Sequence, residues 1–361
     1  MAAFFLRSIY KSFATHVLDI PSRLLSLLFF LFLLTFPLTK PKFFILDVLI
    51  FANIMAVFAA SWDLLVGRTG QISLGHALFF GLGAYASALL YKFYGLPLLV
   101  TIPLSLLIGV LVAVLVGFPS LRVKGPYLAL VSMAFPLIAT GIVFFFRDIT
   151  GGESGIWGLP AFFPFLSPKY DRYVGNYYLT LLLLFVSGII LYKVANSRTG
   201  IVFVFILDDE LASKASGINV TKYKLMAFAI SALFSSLAGC MYAHVMTGVG
   251  RSTLSLTKSF LPVMITVFAG LGTIYGPIAG AYIYYILDRY VLGRFMLDVP
   301  DEWHMLIFII VVVIIVIKWP RGIARFVTDK LDDLSEEREL EERGPHIWKK
   351  YKRKKESSPE G

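Results

Sequence analysis

A single cysteine, Cys240, stands in the chain, inside an apolar run, so no intrachain disulfide can form. Charge is scarce too. Asp, Glu, Lys and Arg supply 16% of the 361 residues, against roughly a quarter in water-soluble domains. Signatures of soluble chemistry are missing as well. There is no GxxxxGK[ST] loop, and the run GLGTIYGP lacks the Lys and the strand context that phosphate binding needs. No HExxH, CxxC or GxSxG occurs, and the five His are dispersed. The sequence therefore argues against P-loop nucleotide hydrolysis and against an intramembrane enzyme.

What is abundant is hydrocarbon. Apolar side chains make up 58% of the chain and mean hydropathy is +0.78. Such a chain would precipitate from water, so lipid is its expected solvent. The net charge of +10 invites a nucleic-acid reading. Basic residues gather on the cytoplasmic side of membrane proteins, however, and no nucleic-acid partner is expected. Arg7, Lys11 and Arg23 precede LLSLLFFLFLLTF, and no small-residue cleavage site follows. This stretch reads as a retained first span rather than a signal peptide.

About 20 apolar residues cross the hydrocarbon core as a helix, and only helices or closed barrels satisfy the backbone there. The apolar runs are long and lack strand-like alternation, so the expected fold class is all-α, a polytopic transmembrane helix bundle. Candidate spans are 23–38, 43–61, 74–91, 97–118, 126–146, 178–194, 225–245, a longer block 260–287, and 304–317. Residues 1–22 would be a cytoplasmic segment, 23–318 the membrane domain, and 319–361 a charged cytoplasmic tail. Arg122, Lys124, Arg198, Lys214, Lys222, Lys224 and the tail share one side if both termini are cytoplasmic, at the expense of Lys40, Lys42 and Lys92. That parity requires 260–287 to enter and leave on the same face. Gly270, Gly272, Gly276, Pro277 and Gly280 interrupt it, predicting two short helices joined at membrane depth, with about eight full spans around them. One kinked span with the tail outside is the alternative. Gly75-x7-Gly-Ala-Tyr85 is echoed by Gly272-x7-Gly-Ala-Tyr282, a weak internal repeat. The tail motif KKYKRKK offers a surface for anionic membrane lipid.

One polar island interrupts the apolar runs, at 196–224. Leu207, Leu211, Ala215 and Ile218 recur at helical spacing, with Asp209, Ser213 and Ser216 on other faces. Asp208 and Asp209 suit a helix start, Glu210 and Lys214 an i,i+4 pair, and Gly217 a left-handed end. Thr221 is placed to cap the helix that follows. The expectation is a short amphipathic helix clamped between two spans. A loop helix lying on lipid would share that composition.

SRTG, then DDELASKASGINVTKYKLMAFAISALFSSLAG, from Ser197 to Gly239, carries a family resemblance. So do LVGRTGQISLGHALFFGLGAY from Leu65, LRVKGPYLALVSMAF from Leu121, TGGESGI from Thr150 and FAGLGTIYGPIAGA from Phe268. In this order, over residues 50–285, they resemble the branched-chain amino acid ABC permeases of the LivM type. The resemblance implies an importer subunit of the plasma (inner) membrane. It implies a second homologous permease subunit, two ABC ATPase subunits that use ATP and Mg, and an extracytoplasmic substrate-binding protein. This chain would bind no cofactor or metal and would not itself be an enzyme. The ATPase dock would be Asp208, Asp209, Glu210, Leu211, Ala212, Ala215, Gly217 and Ile218. Similar proteins usually carry Arg where this chain has Ile201, Val204 and Leu207, which puts the polar contacts to an ATPase in doubt.

Leucine, isoleucine and valine are zwitterions with apolar side chains, and relatives of the family carry urea and amides. A path for them would use oriented backbone dipoles. Gly67–Gly83 offers one segment of broken backbone, with Gly70, Gln71, Ser73, Gly75 and His76 as candidate path residues, and Gly270–Gly280 another, with Gly270, Gly272 and Gly276. Gly81 and Gly83 permit close helix approach. Arg68 fits a snorkelling edge residue, Asn53 a bond across helices, and His244 and His304 interface positions. In the outer loop 147–177, Thr150, Gly151, Gly152 and Gly155 are candidates for contact with the binding protein, and Trp157, Phe162, Phe163 and Phe165 suit the lipid interface. A secondary ion-coupled transporter is the main rival. Asp47, Asp63 and Asp288 read as span-end residues, and that lack of central acids favours the pump subunit.

Overall fold

A computed structural model of the protein describes residues 21–121, 123, 125–166, 169–292, 301–319, 322, 323 and 326. The basic residues Arg7, Lys11, Arg122 and Lys124 and the tail motif lie outside the described residues, as do the side chains of Arg23 and His304. Two units are present. One contributes α1 (Pro21–Thr35), extended by a 3-10 turn at Phe36–Thr39. The other runs from Pro41 to Ile323 and holds every other element named here.

Its helices are α2 (Phe43–Thr69), α3 (Ala77–Tyr94), α4 (Leu98–Ser120), α5 (Pro126–Phe145), the single turn α6 (Arg147–Thr150) and α7 (Lys169–Ala195). Then come α8 (Arg198–Asp208), α9 (Glu210–Ala215), α10 (Val220–Val245), α11 (Leu256–Ala269), α12 (Tyr275–Tyr285) and α13 (Asp301–Lys318). A π-helical stretch, Ile286–Leu292, continues α12. The architecture departs from all-α at one point. Strands β1 (Ile156–Trp157) and β2 (Gly248–Val249) pair antiparallel, with Ile156 opposite Val249. The outer loop is also shorter than 147–177, because α7 already begins at Lys169.

Among the described residues five helices are long and apolar enough to cross a membrane: α2, α4, α5, α7 from Tyr170, and α10. Their burial is unequal. In α2 72% of the apolar stretch lies inside the protein and in α10 61%, against 22–33% in α4, α5 and α7. α2 buries large side chains such as Phe58, Trp62 and Leu64, whereas α10 buries many small ones. α10 packs Ala227, Ser231, Ala232, Ser235, Ser236 and Gly239 inward. A Cβ on Gly239 would stand 1.8 Å from Phe80 O, and one on Gly83 2.1 Å from Ser236 O, so α3 and α10 touch backbone to backbone. α4 is the reverse of a soluble helix. Its buried face carries Thr101, Ser105, Gly109, Ala113 and Gly117, whereas Leu99, Leu107, Leu111 and Leu115 face outward. In water such an apolar rim would aggregate. In lipid it costs nothing, and small residues inside permit close packing.

Candidate translocation and coupling sites

A break exists in each predicted segment, and both are held by α2, but the first covers only 70–76, because 67–69 continue α2 and 77–83 begin α3. After Thr69 the chain turns at Gly70 (φ 68°) and runs without helix to His76. Its amides and carbonyls find side-chain partners. Trp62 Nε1 donates to Ser73 O at 2.7 Å, Leu74 N to Ser132 Oγ at 2.8 Å, and Ala77 N to Ser259 Oγ at 3.1 Å. A Cβ on Gly75 would lie 2.3 Å from Ser132 O, so this glycine is required by contact. Buried backbone without water must be satisfied internally, which is what these hydroxyls and the indole do.

The second break is narrower than the glycine pattern suggests. It spans 270–274, with φ of 127° at Gly270, 77° at Gly272 and 62° at Ile274. Gly276, Pro277 and Gly280 lie inside α12 and do not break it. Asp63, the residue after Trp62, is fully buried, and its carboxylate accepts from Gly272 N at 2.6 Å and Ile274 N at 2.9 Å. A Cβ on Gly67 would meet Gly272 N at 2.5 Å, so the break lies flat on α2. The predicted span ends at 61, just before Asp63. α2 continues eight residues past 61, to Thr69, and carries Asp63 within it.

His76 is fully buried, its Nε2 2.7 Å from Ser231 Oγ. Ser231 spends its own proton on Ser61 O at 2.6 Å, so Nε2 must be the donor. Nδ1 is then a bare acceptor, without a partner among the described residues. Asn53 bonds across helices as expected: Nδ2 donates to Thr180 Oγ1 at 3.1 Å and Oδ1 accepts from Tyr282. His244 is not an interface residue. It is fully buried between Ser87 (2.7 Å) and the carbonyl of Pro160 (3.0 Å). Arg68, in the last turn of α2, is half-buried.

The island folds as two helices, not one. Asp208 closes α8, and Asp209 leaves helical geometry (φ −152°) to cap α9, accepting from Leu211 N at 2.8 Å and Ala212 N at 3.0 Å. The far end is a Schellman turn: Ile218 N donates to Ser213 O and Gly217 N to Lys214 O, with Gly217 at φ 81°. Asn219, not Thr221, caps α10, accepting from Lys222 N at 3.0 Å. Burial also reverses expectation. Ser213 is buried and donates to Phe205 O, whereas Leu211 is 72% exposed, with Leu207, Ala212 and Ala215 also exposed. The apolar stripe faces away from the chain's own core. So does Ile201, one of the positions where similar proteins have Arg.

A continuous polar link joins α9 to the first break. Glu210 pairs with Lys214 and with Lys224, each at 2.7 Å. The backbone carbonyl of Lys224 accepts from Gln71 Nε2 at 3.3 Å, which also reaches Thr69 Oγ1 at 2.8 Å. Partial burial alone would raise the Glu210 carboxyl, but the hydrogen bonds and charges of Lys214 and Lys224 outweigh it and pull the group down to about 2. A Cβ on Gly70 would lie 2.8 Å from Leu207 Cδ1, a second contact between island and break.

In the outer loop, Thr150 is buried, donating to Val143 O at 2.6 Å, and Gly152 N donates to Thr150 Oγ1 at 3.2 Å. Gly151 and Gly155 have positive φ, and a Cβ on Gly155 would meet Val249 O at 2.2 Å. These four residues form the base of the β1–β2 pair, while Trp157 stays exposed. Pairing with Gly248–Val249 was not legible, since two-residue strands leave no periodicity to read.

These features define a multi-pass helical membrane protein with two internally braced breaks and one surface helix clamped between spans. The chain belongs to the family described as branched-chain amino acid transport system / permease component, whose model matches residues 44–316. It is similar to the high-affinity branched-chain amino acid transport system permease proteins LivM of Salmonella typhimurium and Escherichia coli. Each is 28% identical over 299 residues, covering 77% of this chain and 69% of the relative. A probable branched-chain amino acid transport permease protein LivM of Methanocaldococcus jannaschii is 25% identical over 236 residues, covering 63% of this chain and 68% of the relative. No solved structure matches the chain.

Proposed function

We propose that the chain is the transmembrane permease subunit of an ATP-binding-cassette importer for branched-chain amino acids or a related small polar solute. In this reading it works in the plasma membrane with both termini cytoplasmic. It has about eight full crossings around the re-entrant pair α11–α12. Its partners are a second permease subunit, two ATPase subunits that use ATP and Mg, and an extracytoplasmic binding protein. The chain itself holds no cofactor and performs no hydrolysis. The observation that carries the reading is the link Glu210–Lys224–Gln71. A helix with an exposed apolar stripe, stiffened by a cap at each end, is tied through one residue of α10 to a non-helical segment inside the bundle. A partner that grips the stripe and moves it displaces that segment, which is how ATP turnover elsewhere would open or close a path past Gly70–His76. The outer turn built on Thr150–Gly155, with Glu153 and Ser154 exposed, is the surface offered to the binding protein.

The test uses vesicles holding this chain with its partner subunits. Glu210→Lys and Gly217→Pro should each abolish ATP-dependent leucine uptake while leaving membrane insertion intact. Normal uptake by both variants removes the coupling role. Uphill leucine transport on an ion gradient by the purified chain alone removes the importer reading altogether.

A further inference from the structure

Lys258 enters the bundle from the first turn of α11. Its Nζ lies 4.9 Å from the centre of the Tyr242 ring and 5.4 Å from that of Phe80. Phe80 is fully buried in the first turn of α3, and Tyr242 packs between it and Phe51, at 5.5 and 5.8 Å. A lysine that snorkels carries its charge along the helix to the water. Lys258 instead turns inward onto an aromatic wall, where the ring faces attract a cation. The residue as a whole is half-buried.

Its surroundings are short of negative charge. No carboxylate is in ion-pair range of Lys258 among the described residues. Arg289 is near enough for its charge to repel that of Lys258. The acids of this region serve Arg289: Asp288 lies 3.7 Å from its Nε, and Asp47 is within reach of its charge. The next residue, Ser259, accepts from Ala77 N and so ties the start of α11 to the start of α3. A cation turned onto buried aromatic rings, with a second, exposed cation close enough to repel it, thus lies against the bundle with no carboxylate partner among the described residues. An arrangement of that kind lacks one thing, an anion.

We propose that Lys258 is the anchor for the carboxylate of the transported solute, with Phe80 and Tyr242 flanking the carbon atom that bears it. The proposal rests on the permease reading above and deepens it: the solute is a carboxylate, which an α-amino acid is and which urea and simple amides are not. A phospholipid headgroup would bring an anion of the same kind, so the source must be distinguished.

The chain is purified into nanodiscs of zwitterionic lipid and its lysines are labelled with 13C-methyl groups, which keep their charge. The Lys258 resonance is assigned by its absence in Lys258→Arg. Added L-leucine or acetate should shift that resonance, and leucinol, which lacks the carboxylate, should leave it in place. No shift with either carboxylate overturns the proposal. So does a shift produced by anionic lipid alone and unaffected by leucine. In vesicles with the partner subunits, Lys258→Gln should lower leucine uptake about tenfold or more, while Lys258→Arg, which keeps the charge, retains most of it. ATP hydrolysis should persist in both variants, which separates loss of the anchor from misfolding. If wild-type protein moves no leucine but the resonance shifts, the importer reading fails and the anchor stands. If wild-type and Lys258→Gln proteins move leucine equally and the resonance does not shift, the anchor fails and the importer reading stands.

Discussion

Asp63 shows how one side chain fixes the backbone of another element. Its two oxygens accept from the amides of Gly272 and Ile274 and so hold the second break against α2. Asp63→Asn replaces one acceptor by a donor that faces an amide donor. The cost of an orphaned buried amide is about 1–3 kcal/mol, so a clear fall in thermal unfolding temperature in detergent is expected. An unchanged temperature would mean that the break satisfies itself. Gly239 is the second such position. Alanine there puts a methyl group 1.8 Å from Phe80 O, an overpacking of the kind that costs about 1–3 kcal/mol. The expected readout is loss of monodisperse protein on size-exclusion, with Gly141→Ala, which meets nothing within 4 Å, as the control. The sequence displayed the glycines but not their contacts. Gly83 and Gly75 were legible as small residues in apolar runs. Trp62, Asp63, Ser132 and Ser259 were not, because what they do depends on which segments the fold brings beside them.

At the scale of elements, the island was legible in outline. The Glu210–Lys214 pair and the glycine end followed from spacing, since both are local. The split at Asp209 and the pairing of Glu210 with Lys224 did not, because the first follows from α8 running on to Asp208 and the second spans 14 residues. The pairing makes the element sensitive to acid. Glu210 is held at about 2 in the folded protein, below its ordinary 4.5. Its contribution is complete above pH 4.5 and is lost as the pH falls through 2, because the unfolded segment binds its proton first. A surface pair is worth only about 0–1 kcal/mol, so the change is local. A spin label at Ser216 should gain mobility between pH 4.5 and 2 and show none between pH 5 and 8. Glu210→Gln should remove the transition, and a transition that survives that substitution would assign it elsewhere.

For the molecule as a whole, composition announced the solvent and the helices, but not which helices lie at the centre. Sidedness is open to direct measurement because Cys240 alone needs replacing. Its Sγ is buried against Gly83 O and Ser105, so the native thiol should resist impermeant maleimides. On a Cys240→Ala background, cysteines at the exposed positions Glu153 and Ala212 should react from opposite faces of the membrane. Labelling of both from one face would overturn the proposed topology.

α12 is fastened to α2 at two heights, by Asp63 at Ile274 and by Asn53 at Tyr282. The fastenings lie about 15 Å apart along α2 and about 12 Å apart along α12, at 1.5 Å per residue, and they run in opposite chain directions. Two rungs fix a ladder where one would leave a pivot. Any rearrangement during a working cycle must therefore carry these two helices as a single strut, and sliding has to occur at other seams. A residue inserted between positions 53 and 63 would turn one rung about 100° from the other and unfasten the pair.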